Sequence, residues 1–286
     1  MNSKKINNWH IPINPNSKIS DRRLYLSIEH DAALLCWLKE KRRLNIDNFL
    51  LLTIDNHIDL TSLENDIKQR LKVYRENLNS FNLSELKDLM KTEFHNHSVS
   101  FIVSAMELGL VKNAIIFSPN KSRYQYEENE EEENKRLENF KLNYMAYQDY
   151  SKEDHKIYFY PYITGLWINS GGILTDTRDP IKIKLRDEIL NSNLIIDIDL
   201  DYCTYHRDEK TFRISEENFN WCFNNDHFIN LIKNEATLVS ITLEPVYCSS
   251  NSRKILDMFI NYFKSIELFP PESTIEELLN KIDKLL

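Results

Sequence analysis

The sequence predicts a three-layer α/β fold, a mostly parallel sheet with helices on both faces. Three observations predict it. Short, continuously apolar runs such as FLLLTI (49–54), LIIDIDL (194–200) and LVSITL (238–243) alternate with helical patterns, and a strand that is apolar on both sides belongs inside a covered sheet. Acidic residues and histidines cluster where these runs end, which is where ligands collect in such sheets. The 286 residues contain no internal repeat and no linker-like stretch, so residues 1–286 read as one domain.

Taken in order, residues 24–28 (LYLSI) form a strand. Asp31 then opens the apolar helix DAALLCWLKEKRR; Asp31 is the candidate N-cap, and basic residues suit the last turn. FLLLTI is a buried strand. Residues 63–74 and 83–90 are helical, 99–110 is an apolar helix, and 114–117 is a short strand. The acidic run EENEEEE (127–133) is a solvated loop or helix face, or a surface that meets a basic partner. Residues 157–163 (IYFYPYI) read as an aromatic strand, 194–200 and 238–243 as strands, and 219–232 as a helix between them. Two helices follow, the second after Pro270–Pro271.

Composition narrows the function classes. Hydrophobic residues make up 42% of the chain, enough for a packed core rather than disorder. A net charge of −8 argues against chain-wide attraction to nucleic acid or anionic membranes. No apolar run reaches the roughly 20 residues that span a bilayer, and the polar N-terminal stretch lacks the apolar centre of a signal peptide. A cytoplasmic protein, with neither nucleic acid nor membrane as partner, is expected. Only four glycines occur, and only Gly171 and Gly172 are adjacent. Ser170-Gly171-Gly172 therefore reads as a turn, and no glycine-rich phosphate cradle is present. Cys36, Cys203, Cys222 and Cys248 show no C-x-x-C spacing and read as reduced and mostly buried. No G-x-S-x-G motif supports a serine nucleophile, while a Cys–His pair assembled in space stays open.

Metal-ligand chemistry marks four strand ends: Glu29-His30-Asp31, Asp55-Asn56-His57-Ile58-Asp59, Asp197-Ile198-Asp199-Leu200-Asp201, and Glu244 before Pro245. On an extended chain residues i and i+2 share a side, so Asp55, His57 and Asp59 converge, as do Asp199 and Asp201. Crowded carboxylates repel and are costly to bury; a divalent cation removes both objections. Aspartates mixed with imidazoles suit Mn²⁺, Fe²⁺ or Zn²⁺ better than Ca²⁺. Taken alone, His30 is a weak signal and reads more readily as an ordinary surface or satisfied histidine than as a ligand. His95 and His97, in FHNHSVSF, form a polar turn before a helix or supply a proton shuttle near the metals. His10, His155, His206 and His227 have no ligand-like company.

In this order, a histidine at a strand end, D-x-H-x-D, D-x-D and a later glutamate, the set resembles the arginase–deacetylase superfamily. The segments IEHDAALLCWL, LLTIDNHIDL and IIDIDLDY are more specifically similar to the UPF0489 family, which includes peptide arginases. That resemblance implies an arginase-like catalytic domain that hydrolyses arginine side chains of a ribosomally made precursor peptide to ornithine and urea. It implies two Mn²⁺ held by His30, Asp55, His57, Asp59, Asp199 and Asp201, with Asp55 and Asp199 bridging. Asp197 with Asp199 has the same spacing as Asp199 with Asp201; the D-L-D before Tyr202 favours the latter, with Asp197 pointing the same way but deeper. By the same likeness His95 is the proton shuttle, His97 its neighbour at the substrate, Asp59 a proton carrier, and Glu244 the carboxylate that faces the guanidinium. The alternatives are hydrolysis of another C–N bond, in a small-molecule ureohydrolase or a deacetylase, and a metal-binding regulatory protein without turnover.

Overall fold

A computed structural model describes residues 7–11, 22–27, 30–55, 63–78, 80, 84, 100–117, 155–160, 186–208, 211–214, 219, 223–224, 226–242 and 252–266. Their strands are β1 (Asn7–Ile11), β2 (Arg22–Ser27), β3 (Phe49–Ile54), β4 (Val111–Phe117), β5 (Lys156–Tyr160), β6 (Leu194–Asp199), β7 (Thr204–Asp208), β8 (Thr211–Ile214) and β9 (Ala236–Thr242). The helices are α1 (Asp31–Leu44), α2 (Asn65–Glu76), α3 (Phe101–Glu107), the short α4 (Asp226–Asn230) and α5 (Ser252–Ser265).

Among the described residues seven strands form one sheet in the order β1-β2-β9-β6-β3-β4-β5. From β2 to β5 every neighbour pairs in parallel, and β1 adds to β2 antiparallel at one edge. The expected mostly parallel α/β sheet is therefore present. β3, β6 and β9 are buried at every position, as continuous apolar strands in the middle of a doubly covered sheet must be.

Alternation along each strand divides the core in two. Leu50, Leu52, Ile196, Ile198 and Ile241 belong to one core together with Ile255, Phe259 and Phe263 of α5. Leu51, Ile116, Ile195 and Leu238 belong to the opposite core, with Leu34 and Trp37 of α1, Leu71 of α2 and Phe101 of α3. This second face changes character toward the carboxyl ends of the strands. Register sets Thr53 beside Asp197, Asp197 beside Ser240, and Ser27 beside Thr242, so a polar stripe crosses β2, β9, β6 and β3.

Several boundaries differ from the sequence reading, each for a local reason. The residue before α1 that acts as N-cap is His30, not Asp31, and its side chain makes no capping bond; its ring is engaged elsewhere, as described below. The helix expected over 99–110 spans Phe101–Glu107. Gly109 ends it at φ +68°, with Gly109 N–H donating to Met106 O and Leu110 N–H to Ala105 O, both at 2.9 Å. That left-handed turn favours glycine, and a Cβ there would lie 2.9 Å from Arg75 Nε. β4 starts earlier than expected because Asn113, which breaks the apolar run, is accommodated by donating to Glu188 Oε2 at 3.0 Å. β1 and the β7–β8 hairpin were not anticipated. β1 is an edge strand, where a polar sequence such as NNWHI is tolerated. β6 stops at Asp199, and Leu200–Cys203 turns as a 3₁₀ helix. α4 runs into a π-helical turn at Leu231–Glu235 that feeds β9 directly.

Residues 83, 85–90, 127–133, 170–172 and those beyond 266 lie outside the described residues. No helix among the described residues is long and apolar enough to cross a membrane.

Leu52 is fully buried on the α5 side of the sheet. Leu52→Ala is expected to destabilise the fold by about 2–5 kcal/mol, read as a lower urea midpoint at unchanged slope. An unshifted midpoint would show that this face is not close-packed.

Candidate metal centre

Three strand ends deliver one imidazole and two carboxylates to a single point. Asp55 is the first residue beyond β3, and its N–H donates to Phe117 O at 3.0 Å, tying it to the end of β4. Asp199 closes β6. As the chain tightens into the 3₁₀ turn, Asp201 N–H donates to Asp199 Oδ1 at 2.9 Å, which fixes that carboxylate and aims Oδ2 inward. His30 lies between β2 and α1. Its ring stacks on Phe101 of α3, with centroids 4.3 Å apart and planes 12° from parallel.

His30 Nδ1 lies 3.3 Å from Asp199 Oδ2 and 3.8 Å from Asp55 Oδ2. One ligand atom from each of the three residues falls within 4.8 Å of the others. All three residues are at most 2% exposed. The opposite ring nitrogen, Nε2, lies 3.2 Å from Asp197 Oδ2. Asp197 is itself held: Ser240 Oγ donates to its Oδ1 and Thr53 Oγ1 to its Oδ2 at 3.5 Å. Behind Ser240, Trp37 Nε1 donates to its hydroxyl oxygen at 3.1 Å.

The group could hold a metal ion. Ligands about 2.1 Å from a shared cation lie roughly 3.0–3.4 Å from one another in octahedral or tetrahedral arrangements, and the His30–Asp199 separation falls in that range. Two carboxylates buried this close to one another carry a cost in desolvation and repulsion that a bound cation offsets. A nitrogen with two carboxylate oxygens is a donor set for Mn²⁺, Fe²⁺ or Zn²⁺.

Of the residues singled out from sequence, His30, Asp55 and Asp199 meet. Asp201 is buried next to them but is not one of the three; its backbone amide orients Asp199. Asp197 shares their side of the sheet and sits behind the imidazole, away from the nitrogen that faces Asp55 and Asp199. His57, Asp59, His95, His97 and Glu244 lie outside the described residues. Sequence reasoning missed Trp37, Thr53 and Ser240. The parity of Asp197 was readable in LIIDIDL, but its partners come from two other strands and a helix whose register the sequence does not print. The possibility of a Cys–His nucleophile loses Cys36: the thiol is buried, donates to Ala32 O at 3.4 Å, and burial pushes its pKa well above the usual thiol range, which leaves it unreactive.

No protein-family model matches the chain, and comparison with curated proteins finds no match.

Two outcomes follow from the crowded carboxylates. Mn²⁺ or Zn²⁺ at about 100 times its Kd is expected to stabilise the protein by about 2.7 kcal/mol, visible as a rise in Tm. Asp199→Asn keeps the acceptor for Asp201 N–H and removes one of the opposed charges. It is expected to lose the metal-dependent rise while the metal-free protein is at least as stable as wild type. A metal-dependent rise that persists in Asp199→Asn would place the ion elsewhere.

Proposed function

We propose that this chain is a dinuclear manganese hydrolase that converts arginine side chains of a ribosomally made precursor peptide to ornithine, releasing urea. The observation that carries the reading is the meeting of His30, Asp55 and Asp199, buried together at the carboxyl ends of parallel strands. They come from the three motifs, in chain order, whose likeness to peptide arginases suggests this chemistry. His57, Asp59 and Asp201 complete the proposed six ligands.

When bound, the two ions supply Lewis acidity that makes water a nucleophile at neutral pH. The protein's part is to present the substrate and move protons. Glu244 accepts N–H groups from the planar guanidinium, a charge-assisted pairing that fixes its orientation. Asp59 takes up a proton as water adds to the guanidinium carbon. His95 gives one to the departing side-chain nitrogen as the C–N bond breaks, with His97 beside the substrate. One water is consumed per arginine, and the products are ornithine in the peptide and urea. The net charge of −8 favours approach of a basic peptide, weakly at physiological salt. The reaction fits the cytoplasm, where such a peptide is made.

A second reading draws on one feature. His30, Asp55 and Asp199 are by themselves a three-residue set, the number of protein ligands in a mononuclear catalytic zinc site. That would suit deacetylation. Metal stoichiometry separates the two: two equivalents of Mn²⁺ for the ureohydrolase, one of Zn²⁺ for the deacetylase.

The decisive assay incubates Mn²⁺-loaded protein with arginine-containing peptides and reads intact mass and urea. The expected outcome is a loss of about 42 Da per modified arginine with matching urea, absent in Asp199→Ala, as hydrolysis at this centre requires. Urea from free arginine or agmatine but not from peptides would keep the chemistry and change the substrate. Metal-loaded protein that releases urea from none of them would sink the ureohydrolase reading.

A further inference from the structure

We infer that Phe101 is a positioning residue of the metal centre: its ring lies flat against the imidazole of His30 and sets the plane in which that side chain meets Asp55 and Asp199. The inference rests on the metal-centre part of the reading above, not on the substrate.

A histidine ring is poorly fixed by its own chain. Rotation about its Cβ–Cγ bond lies in a broad well, and His30, although it is the residue before α1, makes no side-chain capping bond. The carboxylates of Asp199 and Asp55 meet the ring at its edge, 3.3 and 3.8 Å from Nδ1. Contacts at an edge leave the tilt of the ring to whatever covers its face. Phe101 covers one face, with ring centroids 4.3 Å apart and planes 12° from parallel. Turning the imidazole out of that plane would drive its edge into the phenyl ring and carry the nitrogen away from the two carboxylates.

Phe101 is itself held. It is the first residue of α3 and is fully buried in the core that contains Leu34, Leu51 and Trp37. His30 and Trp37 are seven residues apart, about two helical turns, so they share one face of α1, and Phe101 touches both. Its ring meets that of Trp37 at 5.7 Å between centroids, tilted by 53°. Trp37 in turn donates its indole N–H to Ser240 Oγ at 3.1 Å. Two aromatic contacts and one hydrogen bond thus refer the His30 ring to β9, the strand that pairs with β6 up to Asp199. A ligand whose orientation is locked by packing is in place before the ion arrives, and binding then costs less ordering.

The test measures Mn²⁺ affinity by the loss of the free-ion EPR signal in wild type, Phe101→Leu, Phe101→Tyr and Leu52→Ala, each below its melting temperature. It also reads the His30 ring protons by NMR of the Zn²⁺-loaded wild type. Phe101→Leu keeps an apolar side chain and removes the flat face. It is expected to bind Mn²⁺ about 2- to 10-fold more weakly, the range an aromatic pair is worth. Phe101→Tyr keeps the ring and is expected to bind as wild type does. Leu52→Ala loosens the opposite core and is expected to leave affinity unchanged. The His30 ring protons are expected upfield of their ordinary positions, shielded by the phenyl face. A Phe101→Leu protein that melts earlier yet keeps wild-type affinity would overturn the inference and leave the metal centre standing. So would an equal loss of affinity in Leu52→Ala, or His30 ring protons at ordinary shifts. If Phe101→Leu does not fold, Phe101→Met and the wild-type NMR reading decide. A wild-type protein that takes up no metal would end the inference and the metal centre together.

Discussion

Asp55, Asp197, Asp199 and Asp201 crowd the ends of two adjacent strands, each at most 1% exposed. A buried carboxylate requires donors or a cation, and the rest of this region is organised by how that requirement is met. Asp197 receives hydroxyl groups from both neighbouring strands. One oxygen of Asp199 receives an amide from the turn that follows it. An oxygen each from Asp55 and Asp199 lies toward the same imidazole nitrogen. The polar stripe on this face of the sheet, the tryptophan in an otherwise aliphatic stretch of α1, and the abrupt end of β6 all serve the same electrostatic condition.

The two faces of the sheet divide the labour. Against α5 the core is apolar and aromatic: Phe219, Phe223, Phe259 and Tyr262 meet mostly edge-on, with centroids 4.9 to 6.2 Å apart. Burial pushes the Tyr262 phenol above its usual pKa range, so it adds no charge there. Such close packing restrains the central strands from behind. A constellation built on β3 and β6 gains positional precision from that backing, which a loop-borne site lacks. On the α1 side the core nearest the carboxyl ends gives up apolar area to hydroxyls and carboxylates, while the deeper part, around Leu51, Ile195 and Leu238, remains apolar.

Much of this was legible in the residues. FLLLTI and LIIDIDL announced buried parallel strands because no half-exposed strand is apolar at every position, and the acids following them announced the functional edge. Helix and strand ends were less legible. Gly109 truncates a helix whose apolar pattern runs on to Leu110, and Asn113 interrupts a strand that needs only Glu188, 75 residues away, to tolerate it. β1 escaped notice because one-sided pairing at a sheet edge imposes little pattern. The separate roles of Asp197 and Asp199, two residues apart on one strand, could not be read from spacing. They depend on which nitrogen of a ring from another segment each one meets.

The strand order has a consequence for how the molecule assembles. β3 and β6 are neighbours, yet Thr53 and Asp197 are 144 residues apart, and β2 joins the same sheet only through β9, whose Ile241 accepts from Ser27 across 214 residues. Contacts that close such long loops are entropically expensive and slow to form. His30, Asp55 and Asp199 therefore converge only once chain from both halves of the sequence has docked. Any partly folded intermediate with β2 or β6 still undocked lacks the cluster, and a nascent chain acquires it only after β6 has been synthesised.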